Sequence, residues 1–140
     1  MAEALCKLYI INTSPDLEEK WSVASAGCWA YPGMPATSRA LTAVENMGAQ
    51  LIDHSSQPVT ADLLDKFKLI LCMEYGHVDF IKRHFSEVSD RVFLFSEMIG
   101  EEFEIEDPIG KTQSDYDASA REINTIIQNG WARISELSAS

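Results

Sequence analysis

Three cysteines are the side chains of this sequence with the best chemistry for a nucleophile or a soft metal ligand. Cys6, Cys28 and Cys72 are widely separated, and no C-x-x-C pair or cysteine and histidine group has the spacing of a zinc site. An odd number of dispersed cysteines is typical of reduced thiols. We therefore predict free thiols and no structural metal, and we assign no metal-binding role to His77 or His84.

The charge of the chain restricts its partners. The 140 residues contain 11 Lys and Arg against 22 Asp and Glu, so the formal net charge is -11. A protein this acidic repels polyanions, and we expect no binding to nucleic acid or to an anionic membrane. The sequence also lacks a membrane-length apolar run and an N-terminal signal pattern, which predicts a cytoplasmic protein.

Apolar periodicity predicts two helices and a strand in the first part of the chain. Residues 1–12 are rich in helix formers and place apolar side chains on one face. Residues 35–47 repeat apolar side chains at helical spacing between Pro35 and Gly48. Between them, the small and β-branched residues 21–27 predict a short strand that ends at Gly27.

The second part of the chain alternates apolar runs with amphipathic segments. Thr60 is suited to cap a helix over residues 61–67, and residues 69–73 and 92–95 are unbroken apolar runs, typical of parallel strands that are covered on both faces. Between the runs, apolar spacing predicts a helix around residues 78–85. The final helix has the strongest pattern, formed by Tyr116, Ala120, Ile123, Ile127, Trp131 and Ile134.

This alternation predicts one α/β domain over residues 1–140. Its architecture would be a doubly wound parallel sheet with helices on both faces, a three-layer α/β/α arrangement. In such folds the ligand site lies beyond the carboxyl ends of the strands. Loops that follow the apolar runs are therefore the places to look for chemistry.

Several short motifs stand in a distinctive order along the chain, namely Met1-Ala2-Glu3-Ala4, Ser25-Ala26-Gly27, Trp29, Gly33, Pro35, Arg39-Ala40, His54, Leu69 to Glu74 and Asp107-Pro108. Together they resemble the low-molecular-weight protein-tyrosine-phosphatase family. In that family, an opening strand leads into a C-x-x-x-x-x-R-S-P loop and then into a helix that begins M-A-E-A. The resemblance covers essentially the whole chain.

The resemblance implies a phosphatase reaction that uses no cofactor. A loop thiolate attacks the phosphate of phosphotyrosine, and the loop amides and an Arg hold the phosphoryl oxygens. An acid protonates the departing phenolate, and water then releases the phosphoenzyme. Asp107 matches that acid, and an ordinary Asp-Pro turn is the alternative interpretation.

Three further residues receive roles through the resemblance. Trp29 and Tyr31 lie where the family places an aromatic wall beside the phosphotyrosine ring, and packing of a loop aromatic onto the protein body is the alternative. His54 matches a histidine that supports the phosphate loop by hydrogen bonds, without contacting the substrate. An ordinary surface histidine is the alternative for His54.

The sequence departs from the family at the nucleophile. Six residues after the three cysteines stand Asn12, Met34 and Val78 rather than Arg. We therefore expect the phosphate loop and the first strand to be missing from these residues, which makes the chain N-terminally incomplete and inactive alone. Because the family's first strand is central in its sheet, a dimer or a strand donated by another chain could fill the gap.

Other functions remain open on the same fold. A non-catalytic interaction module would use the remaining surface for binding. A thiol-linked arsenate reductase would need a resolving cysteine pair, and Cys72 has no nearby partner in the sequence. With the loop restored, the resemblance implies phosphotyrosine proteins or small aryl phosphates as substrates.

Overall fold

A computed structural model of the protein describes residues 1–30, 32–51 and 54–139. These residues divide into two units by their internal contacts. The first unit comprises Met1–Pro58 with Pro108–Thr125, and the second comprises Val59–Asp107 with the residues from Ile126 onward. Each unit contributes residues that the sequence singles out as candidates for chemistry.

Both helices predicted in the first unit form, with bounds that differ from the prediction by one to three residues. Helix α1 spans Ala2–Thr13, buries the side chains of Ala4, Leu5 and Ile10, and gives way to a 3₁₀ helix at Pro15–Lys20. Helix α2 spans Ser38–Glu45. It begins later than the predicted Pro35, because the Thr37 hydroxyl accepts a hydrogen bond from the Ala40 N–H at 3.2 Å and thereby caps it.

The strand predicted over residues 21–27 does not form. Only Gly27 pairs, in an isolated parallel bridge with Pro58, through a bond from its N–H to the Gln57 carbonyl at 3.0 Å. Exposure nevertheless alternates, since the side chains at positions 21, 23 and 25 are half-buried and those at 22, 24 and 26 are exposed. The prediction was wrong because alternation indicates extended backbone, whereas a strand also needs a hydrogen-bonded neighbour.

The second unit contains the paired strands. A short helix α3 at Ala61–Asp65 is capped by the Thr60 hydroxyl, as predicted. Strands β1 and β2 pair in parallel, with Ile70 opposite Val92, Leu71 opposite Phe93 and Cys72 opposite Leu94. The remaining bounds are β1 at Ile70–Cys72, helix α4 at Tyr75–His84, a 3₁₀ helix at Ser86–Arg91, β2 at Val92–Leu94 and a 3₁₀ helix at Phe95–Ile99. The predicted parallel order is confirmed.

Helix α5 spans Gln113–Ala139, and its part up to Thr125 belongs to the first unit. Thr112 and Asp115 cap its start reciprocally, because each backbone N–H donates to the other side chain, at 3.1 and 3.3 Å. Trp131 is half-buried rather than buried. The buried side chains of the helix are Tyr116, Ala120, Ile123, Ile126, Ile127 and Ile134, which confirms the predicted apolar face.

Gly130 allows α5 to lie close to the segment that follows β2. A methyl group on Gly130 would lie 2.8 Å from the Met98 Cβ and 2.9 Å from the Met98 carbonyl oxygen. Overpacking of this kind costs about 1–3 kcal/mol, which exceeds the roughly 1 kcal/mol that alanine gains over glycine in a helix. We therefore expect Gly130→Ala to lower the free energy of unfolding, and Gly130→Val to lower it further, in urea titrations.

Gly76→Ala is the matched control for this prediction. Gly76 is exposed in the first turn of α4, and nothing lies within 4 Å of a Cβ built there. We expect that variant to unfold at an unchanged or slightly higher urea concentration. Equal destabilisation of the two alanine variants would contradict the close approach at Gly130.

Candidate functional site

The loop of residues 100–107 is fixed at the carboxyl end of β1. The Ile105 N–H donates to the carbonyl of Met73, directly after β1, at 2.9 Å, and the Ile105 side chain is buried. The Tyr75 N–H, at the start of α4, donates to Glu104 Oε2 at 3.2 Å. Asp107 is exposed at the end of this loop. In parallel α/β sheets, this end of the strands is where ligands bind.

Ser96 provides a second attachment for the loop. Its side chain is fully buried, and its Oγ donates to the Phe103 carbonyl at 2.8 Å and accepts from the Phe103 N–H at 2.9 Å. Sequence reasoning missed Ser96, because a serine that follows an apolar run resembles the beginning of a surface turn. No signal in a single sequence separates the two cases.

Removal of the Ser96 hydroxyl is expected to weaken the loop. In Ser96→Ala, the Phe103 N–H and C=O lose their partner, and a buried unsatisfied polar group costs about 1–3 kcal/mol. Urea titration should show this loss, and hydrogen exchange should show faster exchange at residues 101–105. Ser89→Ala, on the 3₁₀ helix that precedes β2, is the control. Unchanged exchange in Ser96→Ala would contradict an anchoring role.

The turn after Asp107 belongs to the first unit and is joined to α2. The Lys111 N–H donates to the Pro108 carbonyl at 2.9 Å, and Gly110 supplies the positive φ of 77° that such a turn requires. The Arg39 guanidinium donates to the Lys111 carbonyl, and Gln113 Nε2 donates to the Arg39 carbonyl at 3.0 Å. The sequence indicates Arg39 only through the resemblance, and it does not predict this contact between α2 and the turn.

Trp29 lies on the turn that follows the Gly27 bridge. Its side chain is 71% exposed, which leaves most of the indole accessible to a ligand. The same loop is held further on, because the Gly33 N–H donates to the Ser56 carbonyl and the Ser56 N–H donates to the Met34 carbonyl, both at 2.8 Å. Tyr31, the other predicted wall residue, lies outside the described residues.

His54 and Glu3 lie at one groove of the first unit, with a volume of about 400 Å³. Glu3 accepts hydrogen bonds from Lys7 Nζ at 2.9 Å and from Ser25 Oγ at 2.8 Å. Burial by itself raises the pKa of Glu3, but these hydrogen bonds and the charges of Lys7 and His54 outweigh it and lower the pKa. The groove is lined by Glu3, Lys7, Val23, Ala24, His54, Ser55, Ser56 and Gln57.

The lowered pKa of Glu3 predicts a pH-dependent stability. A carboxylate whose pKa is depressed on folding stabilises the fold above its unfolded pKa of 4.5, and this contribution is lost as the pH falls through the folded pKa. We expect Glu3→Gln to lower the melting temperature at pH 7 and to have little effect at pH 3. Glu122→Gln, exposed on α5, is the control. A melting-temperature loss of equal size at both pH values would contradict the assignment.

The three cysteines have the surroundings of structural thiols. None of the three forms a disulfide, and burial raises the pKa of Cys6 to about 11 and also raises the pKa of Cys28. Cys72 is buried at the end of β1.

Within residues 1–30, 32–51 and 54–139, no group of three or more His, Cys, Asp or Glu side chains could hold a metal ion. None of the helices described there is long and apolar enough to span a membrane.

Known proteins with similar sequences are phosphatases. The probable low molecular weight protein-tyrosine-phosphatase AmsI of Erwinia amylovora is 35% identical over 96 residues, which are 69% of this chain and 66% of AmsI. The match therefore spans slightly less than two thirds of AmsI. The protein-arginine-phosphatase of Bacillus subtilis strain 168 is 30% identical over 129 residues, which are 91% of this chain and 83% of that protein.

Solved structures of this class have the same fold. A low molecular weight protein tyrosine phosphatase from T. tengcongensis superimposes with a TM-score of 0.85 at 26% identity, over 94% of this chain and 88% of that one. A YwlE arginine phosphatase mutant with a phosphorylated active-site serine superimposes with a TM-score of 0.84 at 28% identity, over 96% of this chain and 86% of that one. The predicted α/β fold class is confirmed.

The profile of one protein family matches nearly every residue. It is described as low molecular weight phosphotyrosine protein phosphatase, and the match runs over residues 1–138. The chain belongs to the low molecular weight phosphotyrosine protein phosphatase family.

Proposed function

We propose that these residues form the N-terminally incomplete body of a phosphatase that hydrolyses phosphotyrosine or small aryl phosphates through a cysteinyl-phosphate, and that they are inactive alone. The observation that carries the proposal is the anchoring of the loop that ends in Asp107. The bond from Ile105 to Met73 holds that loop at the carboxyl end of β1. A general acid must be held in this way to reach a departing phenolate.

The nucleophile is the part that the sequence does not provide. None of the three cysteines is followed by Arg at the sixth position. Burial raises the pKa of Cys6 and Cys28, which disfavours the thiolate form that a nucleophile needs. In the solved YwlE mutant, the phosphorylated active-site serine replaces a cysteine close to the amino terminus of that chain. By analogy, the thiolate loop would come from polypeptide outside these residues, either upstream or donated by another chain or a dimer partner.

Each candidate residue has a defined role in the complete reaction. The loop thiolate attacks phosphorus and forms the S–P bond while the P–O bond to the phenol breaks, and Asp107 gives its proton to the leaving oxygen. Asp107 then takes a proton from the water that attacks the S–P bond, which releases inorganic phosphate and regenerates the thiolate. Trp29 and Tyr31 wall the phosphorylated ring, and His54 supports the thiolate loop.

A test fuses the missing segment to this chain. The loop-fused protein carries, ahead of Met1, the amino-terminal strand and C-x-x-x-x-x-R-S-P loop that the family resemblance implies. We expect vanadate-sensitive hydrolysis of para-nitrophenyl phosphate by the loop-fused protein and none by the 140-residue chain. An inactive but folded loop-fused protein would favour the non-catalytic interaction module.

Phosphoarginine is a second candidate substrate, because the alignment with the Bacillus subtilis protein-arginine-phosphatase covers 91% of this chain at 30% identity. Both substrates need a proton on the leaving atom, oxygen in one case and nitrogen in the other. The two substrates differ because only the phosphotyrosine ring can stack on an aromatic wall. The ratio of kcat/KM for phosphotyrosine and phosphoarginine peptides, measured before and after Trp29→Ala, shows which substrate the protein prefers and whether Trp29 decides it. A loss confined to the aryl substrate would support phosphotyrosine.

The remaining alternatives have weaker support. An arsenate reductase needs a low-pKa thiol and a resolving cysteine, whereas burial raises the pKa of Cys6 and Cys28 and no two of the three cysteines form a disulfide. We also propose that the protein is cytoplasmic. The net charge of -11 counts against binding to nucleic acid or to anionic membranes.

A further inference from the structure

The turn of residues 108–111 follows the candidate acid Asp107 directly. Pro108 fixes its own φ and also restricts the residue before it, because a residue that precedes proline avoids the helical region. The Lys111 N–H closes the turn through its bond to the Pro108 carbonyl at 2.9 Å. The backbone of Asp107 therefore follows the position of this turn.

Arg39 holds the far end of the turn. Its guanidinium, in the first turn of α2, donates to the Lys111 carbonyl. A charged donor gives a stronger hydrogen bond than a neutral one, and the planar guanidinium fixes the direction of the bond. Both backbone groups of Lys111 are thus bound, the N–H by the Pro108 carbonyl and the C=O by Arg39.

Gln113 holds Arg39 in turn. Gln113 is the first residue of α5, and its Nε2 donates to the Arg39 carbonyl at 3.0 Å and to Asp117 Oδ1 at 2.9 Å. The two bonds between position 39 and residues 111–113 run in opposite directions, because each side chain binds the backbone of the other segment. Together they fix the turn against α2, and all of these residues belong to the first unit.

Global stability does not account for this arrangement. The side chain of Arg39 is exposed, and a surface hydrogen bond adds little to the stability of a fold because water competes for both partners. The effect of Arg39 is therefore local to the turn. What lies next to the turn in the chain is Asp107.

Resting on the proposed function, we propose that Arg39 is a positioning residue, which holds Asp107 near the leaving oxygen through the Lys111 carbonyl. A general acid must lie within hydrogen-bond reach of the atom that it protonates. A displacement of about 1 Å, caused by a change outside the reacting groups, can cost roughly 10²-fold in rate. Arg39 acts by limiting the positions that Asp107 can take, without contacting the substrate.

Arg39→Gln in the loop-fused protein tests this role. Glutamine is shorter and uncharged, so the bond to the Lys111 carbonyl is lost. We expect kcat/KM to fall about tenfold for phenyl phosphate, whose leaving oxygen needs a proton, and less than about twofold for para-nitrophenyl phosphate. Arg39→Lys keeps a charged donor and should retain most of the rate. Arg121→Gln, exposed on α5, removes the same charge and should change neither value.

A double-mutant cycle shows whether Arg39 acts through Asp107. Asp107→Asn removes the proton donor, so the loss of Arg39 has nothing further to misplace. We expect Asp107→Asn and the double variant to have the same kcat/KM for phenyl phosphate within about twofold. A further loss of about tenfold in the double variant would overturn the positioning role.

Hydrogen exchange on the 140-residue chain tests the geometry without turnover. Arg39→Gln should speed exchange at residues 109–111 and leave α1 unchanged. Unchanged exchange at the turn would overturn the proposal. If Arg39→Gln does not fold, Gln113→Ala, which releases the Arg39 carbonyl, should show the same two effects.

The outcomes separate this inference from the proposed function. An active loop-fused protein in which Arg39→Gln slows both esters equally would retain the phosphatase reaction and overturn the positioning role. A folded loop-fused protein without turnover would overturn the phosphatase reaction, and the role of Arg39 with it.

Discussion

Asp107→Asn in the loop-fused protein is expected to slow aryl phosphate hydrolysis by about 10²- to 10⁴-fold, the usual contribution of a positioned general acid. Asparagine keeps the size of the side chain but cannot give a proton to the leaving oxygen. The loss should be larger for phenyl phosphate than for para-nitrophenyl phosphate, because nitrophenolate is a stable leaving group without a proton. Steady-state kcat values for both substrates check this.

The matched control for Asp107→Asn is Glu102→Gln. Glu102 is exposed in the same loop, and its substitution removes one negative charge in the same way. We expect the control to retain its rate on both substrates. A loop-fused protein that keeps its full rate after Asp107→Asn would assign the acid to another group, and equal losses for the two esters would assign Asp107 a structural role.

The largest difference is expected between the 140-residue chain and the loop-fused protein. Removal of a covalent nucleophile typically costs more than about 10⁴-fold in turnover, because no other group can form the intermediate. Serine in place of the loop cysteine should reduce the loop-fused protein to the level of the chain alone. Cys6→Ser in the loop-fused protein should leave kcat unchanged. A rate that depends on Cys6 would contradict the assignment.

The sequence predicts those parts of the fold whose signals are local. The cap at Thr60 and the apolar face of α5 depend on neighbours within a few residues, and both are present in the structure. The apolar run at residues 69–73 indicated a parallel strand because both faces of a strand covered on both sides must be apolar. These features need no knowledge of distant contacts.

The features that were missed depend on contacts far apart in the sequence. The segment at 21–27 has the right alternation, but its pairing is decided by a neighbour that periodicity does not specify. The Arg39 guanidinium donates to the Lys111 carbonyl, 72 positions later in the sequence. Position 130 requires glycine because a Cβ there would collide with Met98. The roles of Asp107, Trp29 and His54 came from the resemblance, because no spacing rule distinguishes an acid from an ordinary Asp-Pro turn.

Intact-protein mass spectrometry after rapid quenching tests the central claim most directly. The 140-residue chain and the loop-fused protein are each mixed with para-nitrophenyl phosphate, stopped in acid within the first turnover and digested to locate any phosphoryl group. We predict one phosphoryl group on the loop cysteine of the loop-fused protein and none on the 140-residue chain. A phosphoryl group on Cys6, Cys28 or Cys72 of the chain alone would contradict the account.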